Sequence, residues 1–213
     1  MDVQFWSDVV CPWCYLGKHR LYRALAEFGG AVTVTFRAYQ LDPAPVPRGL
    51  PLIDAMAATD GGHERAAEML AHVASVGAGD GLPFAFDRAI AANTFDSHRL
   101  IAWAAGQGRQ ADMLEALQRA YFTGGLDLGS RPVLAMVAGS IGLDEPTAAA
   151  YLESGAGREA VYADLVAARE LDITSVPFLM IDGRFAIQGA QEPATLIEAL
   201  REIARREDVD AGR

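Results

Sequence analysis

Short apolar or alternating runs open and close this chain, and stripes of helical period fill the stretch between them. Val3-Gln4-Phe5-Trp6 is apolar and aromatic enough for a short buried strand. Pro12 suits the first turn of a helix, and the run from Leu16 through Leu21 and Leu25 to Phe28 supplies that helix with an apolar face. Val32, Val34 and Phe36 then alternate with Thr33, Thr35 and Arg37, the period of a second strand, so the chain opens on a βαβ unit. Pro43-Ala44-Pro45-Val46-Pro47 marks the exit from the sheet. From there to about Asp172 the pattern is helical. Met69, Leu70, Val73 and Val76 share one stripe, Met113, Leu114, Leu117, Ala120 and Tyr121 a second, and Val161, Tyr162, Leu165 and Val166 a third. Gly77-Ala78-Gly79-Asp80-Gly81 and Gly124-Gly125 are the breakers.

The pattern returns to strands near the end. Thr174-Ser175-Val176-Pro177-Phe178-Leu179-Met180-Ile181 is an apolar run entered through a proline. That proline is either an ordinary strand-edge residue or a cis one, held where a tight junction demands it. Asp182-Gly183 gives a two-residue hairpin signal, and Arg184-Phe185-Ala186-Ile187 forms the returning strand. After Gly189, Glu192-Pro193 opens a last helix whose Leu196, Ile197, Leu200 and Ile203 share one face. The charged tail from Arg205 onward is expected to fray.

Composition narrows the function classes. A chain of 213 residues with 51% hydrophobic content can bury a substantial core, as one or two compact units. Its net charge of −10 argues against nucleic acid and anionic membrane surfaces, both of which recruit basic patches. No apolar run reaches transmembrane length, and Met1-Asp2-Val3 enters the first strand without a signal-like stretch. A cytoplasmic setting is therefore expected, where a Cys-x-x-Cys serves catalysis or redox sensing.

The sequence holds two cysteines, Cys11 and Cys14, in Cys11-Pro12-Trp13-Cys14. Such a pair can cycle between dithiol and disulfide, and it cannot belong to a structural disulfide framework. Cys11 falls at the strand-to-helix junction, where unpaired N–H groups and the positive dipole end favour a thiolate. Two thiolates would also make half of a zinc site, but no second Cys pair exists, and His19, His63, His72 and His98 lack ligand spacing. No metal is expected. Inert core cysteines are the remaining alternative, and flanking Pro-Trp at a helix start is a poor way to fill a core. Asn93-Thr94-Phe95-Asp96-Ser97-His98-Arg99 reads as another helix start, capped by Asn93 or Thr94.

Three segments carry a resemblance to a known family. They are Ser7-Asp8-Val9-Val10-Cys11-Pro12-Trp13-Cys14-Tyr15-Leu16-Gly17, then Asn93-Thr94 with His98-Arg99-Leu100, and Ser175-Val176-Pro177-Phe178 leading to Gly189-Ala190-Gln191. Together they resemble the thioredoxin superfamily in its DsbA-like branch, and are most similar to FrnE-like proteins, related to 2-hydroxychromene-2-carboxylate isomerases and kappa-class glutathione transferases. The resemblance implies an α/β thioredoxin fold with a large all-helical insertion between the two halves of the sheet. Residues 1–42 and 173–213 would form the thioredoxin-like domain and residues 43–172 the helical insertion. It implies a thiol–disulfide oxidoreductase acting on protein or small-molecule thiols, with no cofactor. Cys11 would be the attacking thiol, Cys14 the resolving thiol and Pro177 a cis-proline facing them, with Val176 offering its backbone to a peptide. Oligomeric state is left open.

Within that resemblance several residues keep two readings. The superfamily carries a buried acid six residues before the first cysteine, and here that position is Phe5. Asp8 is the nearest substitute, although a turn residue ending the strand is the favoured account of it. His98 would perturb Cys11 or contact substrate, or else be a half-buried helical histidine with a local partner, the favoured account. Trp13 and Tyr15, with Phe178 opposite, would offer an apolar ledge for a peptide, or simply pack; Pro12 and Trp13 are counted with Val176, Pro177 and His98 as substrate-binding candidates. A glutathione-dependent isomerase or transferase is the alternative enzyme, but such relatives place Ser where Cys11 stands and an acid where Gln191 stands. A peptide-binding chaperone with an incidental redox pair is the third reading.

Overall fold

The computed structural model describes residues 1–59 and 61–211, without the side chains of 207–211. Strand β1 (Asp2–Ser7), helix α1 (Pro12–Phe28) and strand β2 (Thr33–Ala38) form the opening unit. Helices α2 (Leu52–Thr59), α3 (His63–Gly79), α4 (Phe95–Ala105), α5 (Gln110–Phe122), α6 (Arg131–Ser140), α7 (Glu145–Ser154) and α8 (Arg158–Glu170) follow. The chain then returns through β3 (Phe178–Ile181) and β4 (Phe185–Gln188) to α9 (Pro193–Ala211). The sheet order is β2-β1-β3-β4, with β1 parallel to β2 and antiparallel to β3. The α/β sheet is thus built from both ends of the chain, with the helical run inserted between its halves.

Strand alternation divides the core. Side chains alternate sides along β1. Val3 and Phe5 are fully buried in the main cluster, together with Leu16 and Leu21 of α1, Leu114 of α5 and Leu196 and Leu200 of α9. Phe36, opposite Phe5 in the register, meets it edge to face at 5.5 Å. Trp6 instead joins a smaller cluster with Cys11, Cys14, Ala168, Ile173 and Val176. The thiols therefore belong to the layer that α8 closes.

Two of the helical stripes turn out differently. In α3 the buried line is Ala66, Leu70, Val73 and Gly77, and Met69 is exposed. In α8 it is Val161 and Ala168, and Tyr162 and Val166 face outward. Small residues fill the close helix contacts and leave the larger apolar ones outside. The tail expected to fray at Arg205 continues as helix to Ala211, with Glu202 pairing Arg205 and Arg206 one turn on. Gly212 and Arg213 lie outside the described residues.

Candidate active site

Cys11 is the N-cap residue of α1 and accepts, through its carbonyl, the N–H groups of Cys14 and Tyr15 at 3.1 Å each. Pro12 stands at N1, where its missing N–H costs nothing. This local geometry puts the Cys11 sulfur over the open end of the helix, with Cys14 one turn below it. Both thiols are free. Cys11 is 4% exposed and Cys14 fully buried, whereas Pro12 and Trp13 are half-buried. Burial pushes the Cys14 thiol up, and hydrogen bonding with Cys11 and the Cys11 charge add to this, against a hydrogen bond with the Asp8 backbone. Cys14 is therefore a thiol that keeps its proton until a reaction takes it.

The second segment closes over the first. The Val176–Pro177 bond is cis. Cys11 Sγ lies 3.9 Å from the Val176 carbonyl oxygen, a weak S–H donation. Gly17, one turn beyond Cys14, lets Pro177 pack directly onto α1: a Cβ there would meet Pro177 Cγ at 2.8 Å. The Gly189 N–H donates to the Pro177 carbonyl at 2.8 Å, tying the loop to the end of β4.

The third segment reaches the same place from α4. Asn93 Oδ1 accepts the Phe95 N–H at 3.1 Å, and its amide holds the carbonyls of Pro43 and Ala44. One turn on, His98 Nε2 stands 3.3 Å from Asp8 Oδ1. His98 is 4% exposed and Asp8 1%. Asp8 is the turn residue after β1, its carbonyl accepting the Cys11 N–H at 3.2 Å, and its buried carboxylate adds a tie across the fold, Oδ2 accepting the Leu41 N–H at 2.8 Å. The sequence reading of His98 needs correction. His98 is not half-buried with a local partner; its partner lies 90 residues away.

The aromatic residues divide as well. Tyr15 is buried, stacks on Phe122 at 5.4 Å and meets Phe84 edge to face, so it packs and offers no ledge. Trp13 lies against His72 of α3 at 6.0 Å, and Phe178 meets Trp6 at 6.1 Å. Sequence reasoning missed Glu115 of α5. It receives Lys18 Nζ at 2.6 Å and the Tyr15 hydroxyl at 3.2 Å, pinning the cysteine helix to the insertion. Lys18 directly after Gly17 carried no signal of burial. Among the described residues there is no cluster of three metal-ligating side chains, and no helix is long and apolar enough to cross a membrane.

Known proteins place this geometry. Residues 2–201 match the model of the DSBA-like thioredoxin domain. A probable DsbA oxidoreductase from Streptomyces coelicolor superposes with a TM-score of 0.86 at 32% identity, over 95% of this chain and 89% of that one. The cytosolic disulfide reductase DsbM from Pseudomonas aeruginosa gives 0.69 at 21% identity, over 96% and 99%. A 2-hydroxychromene-2-carboxylate isomerase gives 0.72 at 17% identity, over 98% of each chain. These last two share the fold. Among curated proteins no sequence matches the chain. With the family model matched along almost its whole length, the chain belongs to the DsbA-like thioredoxin-domain family.

Proposed function

We propose that this protein is a thiol–disulfide oxidoreductase whose working pair is Cys11 and Cys14. One observation carries the reading: two free thiols at the start of α1, one of them facing the Val176–Pro177 backbone at 3.9 Å. The Streptomyces coelicolor relative, named as a DsbA oxidoreductase, supports it. Cys11 as thiolate attacks one sulfur of a substrate disulfide. The new Cys11–S bond forms as the substrate S–S bond breaks, and the other substrate sulfur leaves as a thiolate. Cys14 then attacks Cys11, the Cys11–Cys14 disulfide forms, and the substrate departs reduced by two electrons. Oxidation of a substrate dithiol runs the same steps backwards.

In this reading Pro12, Trp13, Val176 and Pro177 are the substrate contacts beside the reacting sulfur, and the substrates are protein or low-molecular-weight thiols and disulfides. The chemistry needs neither metal nor organic cofactor. The reading includes a cytoplasmic setting. Cys11 and Gln191 favour it over the isomerase alternative, and the burial of Tyr15 weakens the peptide ledge on which a chaperone reading rests.

Division of labour between the thiols tests the proposal. Cys11→Ser is expected to abolish reduction of a model disulfide, while Cys14→Ser accumulates mixed disulfides visible by mass. Normal turnover by the Cys14 variant with no added dithiol would defeat the two-thiol mechanism.

A further inference from the structure

Resolution has a requirement that the two cysteines do not meet by themselves. Cys14 must release a proton as its sulfur attacks and recover one when the disulfide reopens, yet it is fully buried. The strand position of the superfamily acid holds Phe5, fully buried in the core. The carboxylate whose charge acts on the Cys14 thiol is that of Asp8, on the loop between β1 and α1. Asp8 is bound to the thiol helix: its carbonyl accepts the Cys11 N–H at 3.2 Å, and its backbone shares a hydrogen bond with Cys14 Sγ. Its carboxylate is fixed on both oxygens, by the Leu41 N–H at 2.8 Å and His98 Nε2 at 3.3 Å. His98 also lines a small cavity of about 20 Å³, shared with Ser7, Arg37, Gln110 and Asp164 among others. That is room for one water molecule, with polar groups to hold it.

We propose that Asp8 is the proton acceptor for Cys14, and that His98 is the positioning residue that holds the carboxylate and joins it to the cavity. The proposal rests on the thiol–disulfide reading above. In resolution the Cys14 S–H bond breaks and its proton goes to the Asp8 carboxylate. The freed electron pair on sulfur makes the bond to Cys11, and the Cys11–substrate bond breaks to give the substrate thiolate. The proton leaves Asp8 through His98 toward the cavity. Reopening of the disulfide reverses each transfer. A structural ion pair needs no second face on a cavity, and a turn residue needs no buried carboxylate. The groups facing the pair are Cys11 and Cys14 of α1, Tyr121 of α5, whose buried hydroxyl has no hydrogen-bond partner among the described residues, and, around the cavity, Arg37 of β2 and Asp164 of α8.

Ellman's disulfide, 5,5′-dithiobis(2-nitrobenzoate), separates the two steps. Its first thionitrobenzoate reports Cys11 attack and its second reports resolution by Cys14. Stopped-flow traces from pH 5.5 to 9 should show Asp8→Asn slowing the second release by about 100-fold, with the first release unchanged. The residual rate should rise with pH as Cys14 ionises unaided. Asp8→Glu should restore much of the second release, and His98→Gln should slow that phase alone and change its pH profile. Should Asp8→Asn fail to fold, His98→Gln decides by the same readout. A second release unchanged in rate and pH profile, in whichever variant decides, overturns the inference, provided the wild type releases two equivalents. A wild type that releases no second equivalent would instead overturn the thiol–disulfide reading itself.

Discussion

A methyl group at residue 17 has nowhere to go. An alanine Cβ there would stand 2.8 Å from Pro177 Cγ, closer than packed carbons tolerate, and in ordinary contact with Ala190 at 3.5 Å. Gly17→Ala must therefore push the Pro177 loop away from the face of α1 on which the thiols sit. The expected outcome is a loss of about 1–3 kcal/mol in stability and a several-fold slower Cys11 reaction with Ellman's disulfide. A variant that reacts at the wild-type rate would separate Pro177 from the chemistry. Asp8 and His98 show at the same scale what the sequence concealed. Nothing local to Asp8 distinguishes a buried carboxylate from a turn residue, because its partner stands 90 residues away. Tyr15 was similarly opaque: its helix position was legible, but the stack on Phe122 depends on how α5 docks.

Among the elements, the α1–α5 contact has a buried charge built into it. Lys18 of α1 is 2% exposed at its side chain and meets Glu115 of α5. Burial pulls the Lys18 ammonium down to about 8, although Glu115 resists this. Burial also works to raise the Glu115 carboxyl, but the His19 hydrogen bond and the Lys18 charge and hydrogen bond outweigh it and hold it at about 2. The signs differ. Glu115 is depressed in the fold, so its contribution is complete above the ordinary value of 4.5 and is lost as pH falls toward 2. Lys18 binds its proton less tightly folded than unfolded, so it adds stability as pH rises from about 8 toward 10.5. Glu115→Gln should cost about 1–2 kcal/mol at neutral pH, since a third of Glu115 is exposed. Its unfolding midpoint in urea should also fall less steeply than the wild type's between pH 4.5 and 2. Equal slopes would remove Glu115 from the acid response.

A second junction is carried by Arg99 of α4, whose side chain is fully buried. It donates to the carbonyls of Tyr151 at 3.0 Å, Leu152 at 3.1 Å and Ala156 at 2.8 Å, closing the end of α7. Arg99→Met leaves those acceptors and Asp96 without it, and should cost about 3 kcal/mol or more, read as a lowered urea midpoint. A midpoint within experimental error of the wild type would show that water replaces the guanidinium. Helix faces were only half legible in the chain. Ala66, Gly77 and Ala168 fill close contacts in α3 and α8, and such small residues hardly register in a hydrophobic pattern. Met69, Tyr162 and Val166 dominated that pattern from the outside.

Across the whole molecule, the strands at the two chain ends were the most legible part. Their aromatic and β-branched runs, the Asp182-Gly183 turn, Pro12 at the helix start and Pro177 before the third strand are local signals. They survive in the structure because strand propensity, turns and helix starts are decided within a few residues, with one change: the hairpin loop takes in Arg184 as a third residue, so β4 begins at Phe185, opposite Ile181. The arrangement of the inserted helices was not legible, since it is settled by contacts between stripes far apart in the chain. What the whole fold delivers is one place where α1 and the loop before β3 meet at two sulfurs, with α4 tied to it through His98 and Asp8. The equilibrium of Cys11 and Cys14 against a glutathione redox series, read by tryptophan fluorescence and mass, tests that claim most directly. The residue before Cys14 is Trp13, where DsbA proteins carry a histidine that helps hold the thiolate, so a weaker oxidant is expected. The account predicts a single reversible two-electron couple, with an intramolecular disulfide and a midpoint between about −270 and −180 mV. Thiols that end as glutathione adducts, with no Cys11–Cys14 disulfide at any ratio, would contradict it.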